Sequence, residues 1–360
     1  MTFQSFRRAH PNVAILGATG AVGVELIRCL EQRDFPLARL KLLASPRSAG
    51  RKLAFRGEEL TVDAVDGASF NDVDLALFSA GASQSKVWAP VAVAAGAVVV
   101  DNSSAFRMDP DCPLVVPEVN LDMLVAHRGV VANPNCVAII ATMAIQPLHR
   151  AFGLTRVRLS TYQAASGAGA AAMEELRAST VAHLAGETFT PQVLQHPYAF
   201  NLFSHDSGVD LDSGYNGEEL KVVAETQRLL GRPNLPVGIT SVRVPVLRAH
   251  TIAMTLEFPE PVSPDAARAA LAGAPGVRIV DDRAANHFPM PSESQGQGDV
   301  LAGRFRTDLA DPTGRSICLL VSGDQLLKGA ALNAVQIAEH LFADAREQLR
   351  SSEVLGEPVA

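Results

Sequence analysis

The sequence predicts an α/β fold in two parts: a parallel sheet wrapped by helices at the start of the chain, then an α+β domain with longer strands. Three observations lead there. An apolar run, a glycine-spaced turn and an amphipathic segment follow one another over residues 12–32. Short β-rich runs then alternate with helical ones as far as Cys136, the pattern of a parallel sheet covered on its faces. Beyond Cys136 the strands lengthen and take up period-two patterning. The chain's 360 residues also exceed what one hydrophobic core usually serves.

"NVAIL" at 12–16 is the first strand, closed by Gly17, and "VGVELIRCLEQ" carries apolar residues at helical spacing after it. Gly17, Gly20 and Gly23 in "GATGAVG" stand between the two. Missing side chains there let a pyrophosphate approach backbone N–H groups at the positive end of a helix, as in a Rossmann-type dinucleotide-binding domain. Thr19, Ala21 and Val22 supply the rest of that loop's backbone. Arg7 and Arg8 ahead of it superficially imitate a signal peptide, but Pro11, the spaced glycines and Glu25 read as strand, turn and helix.

"RLKLLAS" (39–45), "VDLALFSA" (73–80) and "AVVVDNS" (97–103) are further short strands, with "SKVWAPVAVAAG" helical between the last two. The first of these ends in "LLASPRSAGRK", where an NAD site usually carries an acid for the ribose 2′-hydroxyl. Here Arg47 and Ser48 stand instead, with Arg51 nearby, and a guanidinium with an adjacent hydroxyl suits a 2′-phosphate. The expected cofactor is NADP.

In the second part "LTRVRLSTYQAAS", "ITSVRVPVLRAHTIAMTLEF" and "SICLLVSGD" are strands, and residues 180–240 read as loop-rich. From Leu326 a long amphipathic helix follows, before a fraying tail, and its apolar stripe needs a surface to pack on.

Composition narrows the function. A formal charge of −7 gives no basic footprint, so nucleic acid is not an expected partner. No apolar run reaches the roughly 18 residues a membrane span needs. Cys29, Cys112, Cys136 and Cys318 lie far apart with no Cys/His cluster, which argues against a metal site or a disulfide framework and fits a reducing cytoplasm. Three of them read as core packing. Cys136 follows "NPN" and opens the apolar run "VAIIATMAI": Pro134 fixes the turn and Asn135 can cap a helix whose macrodipole favours a thiolate at its start. The Asn135 amide and the Cys136 N–H could together form an oxyanion hole. Packing remains the alternative for a lone cysteine.

In order along the chain, "ILGATGAVG", "DNSSAFRM", "NPNC", "TYQAASGAG", "GEELKVVAET", "VRVPVLRAH" and "DQLLKGAALNAVQIAE" together resemble the aspartate-β-semialdehyde dehydrogenase family. The likeness runs from about residue 12 to 345. It implies a second domain of the glyceraldehyde-3-phosphate dehydrogenase type, serving substrate binding and dimerisation. The NADP-binding domain is then 1–135 with 325–360, and the catalytic domain 136–324.

The resemblance makes Cys136 the nucleophile and His250 an acid/base, a role suited to imidazole. Arg243 becomes the clamp on the substrate α-carboxylate, Gln163 an orienting amide, and Glu218 the contact for the substrate amino group. Arg107 and Lys221 match positions that hold the substrate phosphoryl group or free phosphate. Ser166, Gly167 and Gln325 reach the nicotinamide end of the cofactor. Two departures stand out: Val137 and Ala138 occupy sites where family members often carry a hydroxyl, leaving backbone N–H groups there, and Ala249 replaces a common glycine.

The activity implied is NADPH-dependent reduction of L-aspartyl 4-phosphate to L-aspartate 4-semialdehyde through a cysteine thioester, in lysine, methionine and threonine biosynthesis. The implied assembly is a homodimer, or a homotetramer built from two dimers. Sister acyl-phosphate and acyl-CoA reductases share the scaffold, but Arg243 with Glu218 suits a free α-amino acid. A non-catalytic NADP-binding paralogue would be marked by loss of Cys136 or His250, and both are present.

Overall fold

The computed structural model describes residues 10–355, with side chains as far as Ala343; Arg7, Arg8 and residues 356–360 lie outside the described residues. The chain forms two compact units, one of residues up to Pro134 with those from Ala330 on, the other Asn135–Gly329.

The first unit is built on β1 (Asn12–Leu16), β2 (Arg39–Ala44), β3 (Lys52–Phe55), β4 (Glu58–Ala64), β5 (Leu75–Phe78), β6 (Val98–Asp101) and β7 (Val130–Ala132). Their order is β3-β4-β2-β1-β5-β6-β7. All pairs are parallel except β3 with β4, an edge hairpin that closes the sheet. β5 and β6 are buried along their whole length, as strands covered on both faces must be. Helices α1 (Ala21–Gln32), α2 (Ala82–Ala94) and the short α3 (Pro117–Asn120) connect them. α1 turns Leu26, Ile27, Cys29 and Leu30 inward. The edge hairpin falls in a stretch with no apolar alternation, "KLAF" and "EELTVDA" being largely solvent-facing, which is why pattern reading passes over it.

The second unit opens with α4 (Cys136–Phe152) and builds β8 (Arg156–Gln163), α5 (Ala170–Leu184), β9 (Phe203–Ser204), α6 (Gly217–Leu229), β10 (Val237–Arg243), β11 (His250–Glu257), α7 (Pro264–Leu271), β12 (Val277–Ile279), α8 (Pro291–Ser294), β13 (Val300–Thr307) and β14 (Ser316–Gly323). Its mixed sheet runs β12-β13-β14-β11-β8-β10-β9. Two sequence expectations need correction. Residues 239–258 fall in two strands, β10 and β11, separated by a connection over 244–249 that ends at Ala249 with a φ of +77°. The stretch 180–240 also contains a real helix, α6, whose start is fixed by a capping box between Asn216 and Glu219.

After Gly329 the chain rejoins the first unit through a π-helical turn, Leu327–Ala331, and α9 (Leu332–Leu355). α9 packs along α1, where Arg33 donates from Nε and Nη2 to the Glu339 carboxylate at 2.6 Å each. That is the surface its apolar stripe requires. Among the described residues no helix is long and apolar enough to cross a membrane.

Candidate active site

Register brings three of the candidate residues side by side. β8 and β10 are parallel with Gln163 opposite Arg243, and β11 runs antiparallel to β8 with Thr251 opposite Tyr162. Gln163, Arg243 and His250 therefore stand at one end of three neighbouring strands. All three are buried.

The His250 ring has a defined form. The Ala164 N–H donates to Nδ1 at 3.0 Å, so the neutral imidazole must carry its proton on Nε2. Nε2 is itself buried and has no hydrogen-bond partner among the described residues. Burial, the nearby Arg243 cation and His205 hold the ring well below the usual histidine range, so it stays neutral near pH 7. Nε2–H thus stands as a hydrogen-bond donor facing the end of the strands where Arg243 and Gln163 meet. A methyl group on Gly167 would lie 2.9 Å from Arg243 Nη1 and 3.1 Å from His250 Nε2, so the backbone there packs directly on both.

Arg243 is anchored rather than free. It donates from Nε to Asp206 Oδ1 at 2.7 Å and from Nη1 to the Ala164 carbonyl at 3.3 Å. Asp206 reaches it because β9 pairs antiparallel with β10, Phe203 opposite Arg243, and the His205 N–H bonds the Ser241 carbonyl. Burial pushes the Asp206 carboxyl upward, but the guanidinium outweighs it and keeps the group below the ordinary aspartate range. His205 is also lowered, by burial first and then by Arg243. Neither His205 nor Asp206 was legible in the sequence: they sit in a polar loop with no periodicity, and an adjacent His-Asp pair is the one signal available.

α4 begins at Cys136, which is half-buried. Asn135 caps it, its Oδ1 accepting from Val137 N–H at 2.8 Å and Ala138 N–H at 3.3 Å. This corrects one expectation: the backbone N–H groups at 137 and 138 are taken by the cap. Asn135 is held in turn by α6. Its N–H donates to Glu225 Oε2 at 2.5 Å and its Nδ2 to Glu218 Oε1 at 2.9 Å, so one amide proton of the expected oxyanion donor is committed. Gln163 Nε2 reaches the same Glu218 oxygen at 3.3 Å. Lys221, one turn beyond Glu218, is exposed. Gly329 closes the floor, since a Cβ on it would come 3.0 Å from Cys136 Cβ.

Ser166 and Gln325 meet: Gln325 donates from Nε2 to Ser166 Oγ and accepts from the Ala249 N–H at 2.9 Å. The remaining candidates belong to the other unit. Arg107 is buried there, donating from Nε to the Asn133 carbonyl and from Nη2 to the Asn102 carbonyl. Gly17, Thr19 and Gly20 lie in the β1–α1 turn, and Ala21, Val22 and Gly23 open α1. Gly17 has φ +88°, and a Cβ on Gly23 would fall 2.2 Å from the Gly17 carbonyl oxygen, so neither position admits a side chain. Among the described residues no side chain caps α1, whose first-turn N–H groups are of the kind that receive phosphate. Arg47 and Ser48 lie in a 3₁₀ turn just past β2, Arg47 exposed and Ser48 half-buried.

Two family descriptions match the chain, the semialdehyde dehydrogenase NAD-binding domain over residues 12–127 and the semialdehyde dehydrogenase dimerisation domain over 145–328. The aspartate-semialdehyde dehydrogenase of Synechocystis sp. is 53% identical, over 91% of this chain and 96% of its own length. The chain belongs to the aspartate-semialdehyde dehydrogenase family. The Bacillus subtilis member is 44% identical over 92% of this chain and 97% of its own. A crystal structure of aspartate semialdehyde dehydrogenase II from Vibrio cholerae, complexed with ASA, superposes with a TM-score of 0.90 at 40% identity, covering 93% of this chain and 99% of that one. As an aspartate-semialdehyde dehydrogenase family member the chain is an oxidoreductase with a nucleotide-binding first unit and a second unit of the kind that dimerises.

Proposed function

We propose that this chain interconverts L-aspartyl 4-phosphate and L-aspartate 4-semialdehyde, with NADP(H) as cofactor and Cys136 as the covalent carrier. The observation that carries the reading is the buried, unpartnered Nε2–H of His250 beside Arg243 and Gln163, within the unit whose first helix starts at Cys136. A buried donor without an acceptor is costly and marks a place built for a ligand oxygen.

In the reductive direction the Cys136 thiolate attacks the acyl carbon of the aspartyl phosphate, the C–O bond to phosphate breaks, and a thioester remains on sulfur. When bound, NADPH would supply hydride to the thioester carbon. The oxyanion so formed on the Cys136 adduct is stabilised by His250 Nε2–H, and its collapse expels the thiolate and frees the aldehyde. Arg243 holds the α-carboxylate and Glu218 the α-ammonium, while Gln163 and Asn135 orient the acyl group. Arg107 and Lys221 receive the phosphoryl group.

The β1–α1 glycine turn fits a dinucleotide pyrophosphate, and Ser166, Gly167 and Gln325 serve the nicotinamide end. Arg47 and Ser48, in place of an acid after β2, favour the 2′-phosphate of NADP. The first unit is accordingly the cofactor domain and the second the catalytic and dimerisation domain, in a homodimer or a pair of dimers. Support for self-association comes from the exposed apolar side chains Val181, Leu184, Phe200, Leu202 and Leu211.

The test is steady-state oxidation of aspartate semialdehyde with phosphate, using NADP and NAD in parallel, on wild type and Cys136→Ala. Wild type should turn over with NADP preferred, and Cys136→Ala should bind NADP but fall by at least roughly a thousandfold in kcat. Full activity without the thiol would overturn the proposal.

A further inference from the structure

We infer that Asp206 is a positioning residue that sets how tightly the site holds its substrate, by occupying one edge of Arg243 with a permanent negative charge. The inference deepens the proposed function and rests on the reading of Arg243 as the carboxylate clamp.

A guanidinium offers five N–H donors in a rigid fork, and a carboxylate can engage it along the Nε edge or end-on across both Nη groups. Asp206 Oδ1 holds Nε–H at 2.7 Å, and the Ala164 carbonyl takes one Nη1 proton. The Nε edge is therefore closed to a second carboxylate, and a substrate must bind through the Nη end. That end packs against Gly167 beside His250 Nε2. Asp206 thereby turns a cation that could be approached from two directions into one with a single productive approach, next to the oxyanion donor.

The same contact lowers the net attraction. The Arg243 side chain is 3% exposed and that of Asp206 28%, so the pair is only partly screened by solvent. An incoming α-carboxylate meets a guanidinium already balanced by one carboxylate. The second anion repels it across one guanidinium width. Ser207, the next residue after Asp206, accepts the Glu218 N–H at its Oγ, so the loop that orients Arg243 also steadies the residue assigned to the ammonium. Affinity is moderated while geometry is fixed. An enzyme gains rate from interactions made in the transition state, and uniformly tight ground-state binding would leave kcat no higher.

The experiment separates charge from geometry. Asp206→Asn keeps an oxygen acceptor for Nε and removes the charge; Asp206→Glu keeps the charge. In Asp206→Asn the KM for aspartate semialdehyde should fall roughly three- to tenfold, from loss of one like charge at this range, with no rise in kcat. Asp206→Glu should show no such fall, and the KM for NADP should not move in either. The effect should vanish with 3-aminopropanal, which lacks the α-carboxylate. A KM for aspartate semialdehyde that stays put or rises in Asp206→Asn, or that falls equally in Asp206→Glu, overturns the inference. Arg243→Ala supplies the separate control. It should abolish discrimination between the two aldehydes, and if discrimination persists it is the clamp reading that fails.

Discussion

Ala249 shows how one residue carries strain into the site. It is fully buried with φ +77°, a conformation in which an L side chain crowds its own carbonyl, and its N–H holds Gln325. Replacing it with glycine should stabilise the protein by about 1 kcal/mol, read as a higher Tm, with the Gln325 contact kept; a lower Tm would mean that the turn is not strained. The sequence pointed to this position through the glycine common in the family, but not to its cause. At the same scale, Cys136, His250, Arg243, Gln163 and Glu218 were nameable as candidates from motifs, because the proposed chemistry restricts which side chains could serve it. Asp206, His205 and Glu225 were not. Their significance lies in which neighbour they touch, and no local spacing encodes that.

Among elements, those with a strong period were readable: β1 spans Asn12–Leu16 as "NVAIL" suggests, and α1 and β14 follow their apolar patterns closely. α6 was hidden because its mean composition is polar and, beside Val222, Thr226 and Leu229, it turns three carboxylates inward, Glu218, Glu219 and Glu225, which accept from backbone and amide donors. The π-helical turn Leu327–Ala331 was equally invisible, since it arises where Gly329 must pass Cys136. Gly329→Ala should push the thiol off its position, lowering kcat by roughly tenfold or more, of the order expected when a reacting group shifts by about 1 Å. Iodoacetamide labelling of Cys136 should slow in parallel. Wild-type kcat in that variant would show that the close packing is idle.

For the whole molecule, stability should depend on pH in one direction. His127, His149, His205 and His250 are all held below the ordinary histidine range in the folded state, chiefly by burial. Unfolding therefore takes up protons once pH drops below the unfolded value of about 6.5. Their contribution is present above that value and is lost as pH falls through it toward the folded pKa. The lowered carboxyls Asp206 and Glu175 extend the same trend further into acid. Tm should decline from pH 7 to 5.5, and His250→Asn should flatten the slope by up to about 1.4 kcal/mol per pH unit. An unchanged slope would count against a neutral buried ring.

The bond from Ala164 to His250 has a further consequence for turnover. In the reaction proposed above, a ring held in this tautomer presents the same dipole to the oxyanion whichever way the enzyme is driven.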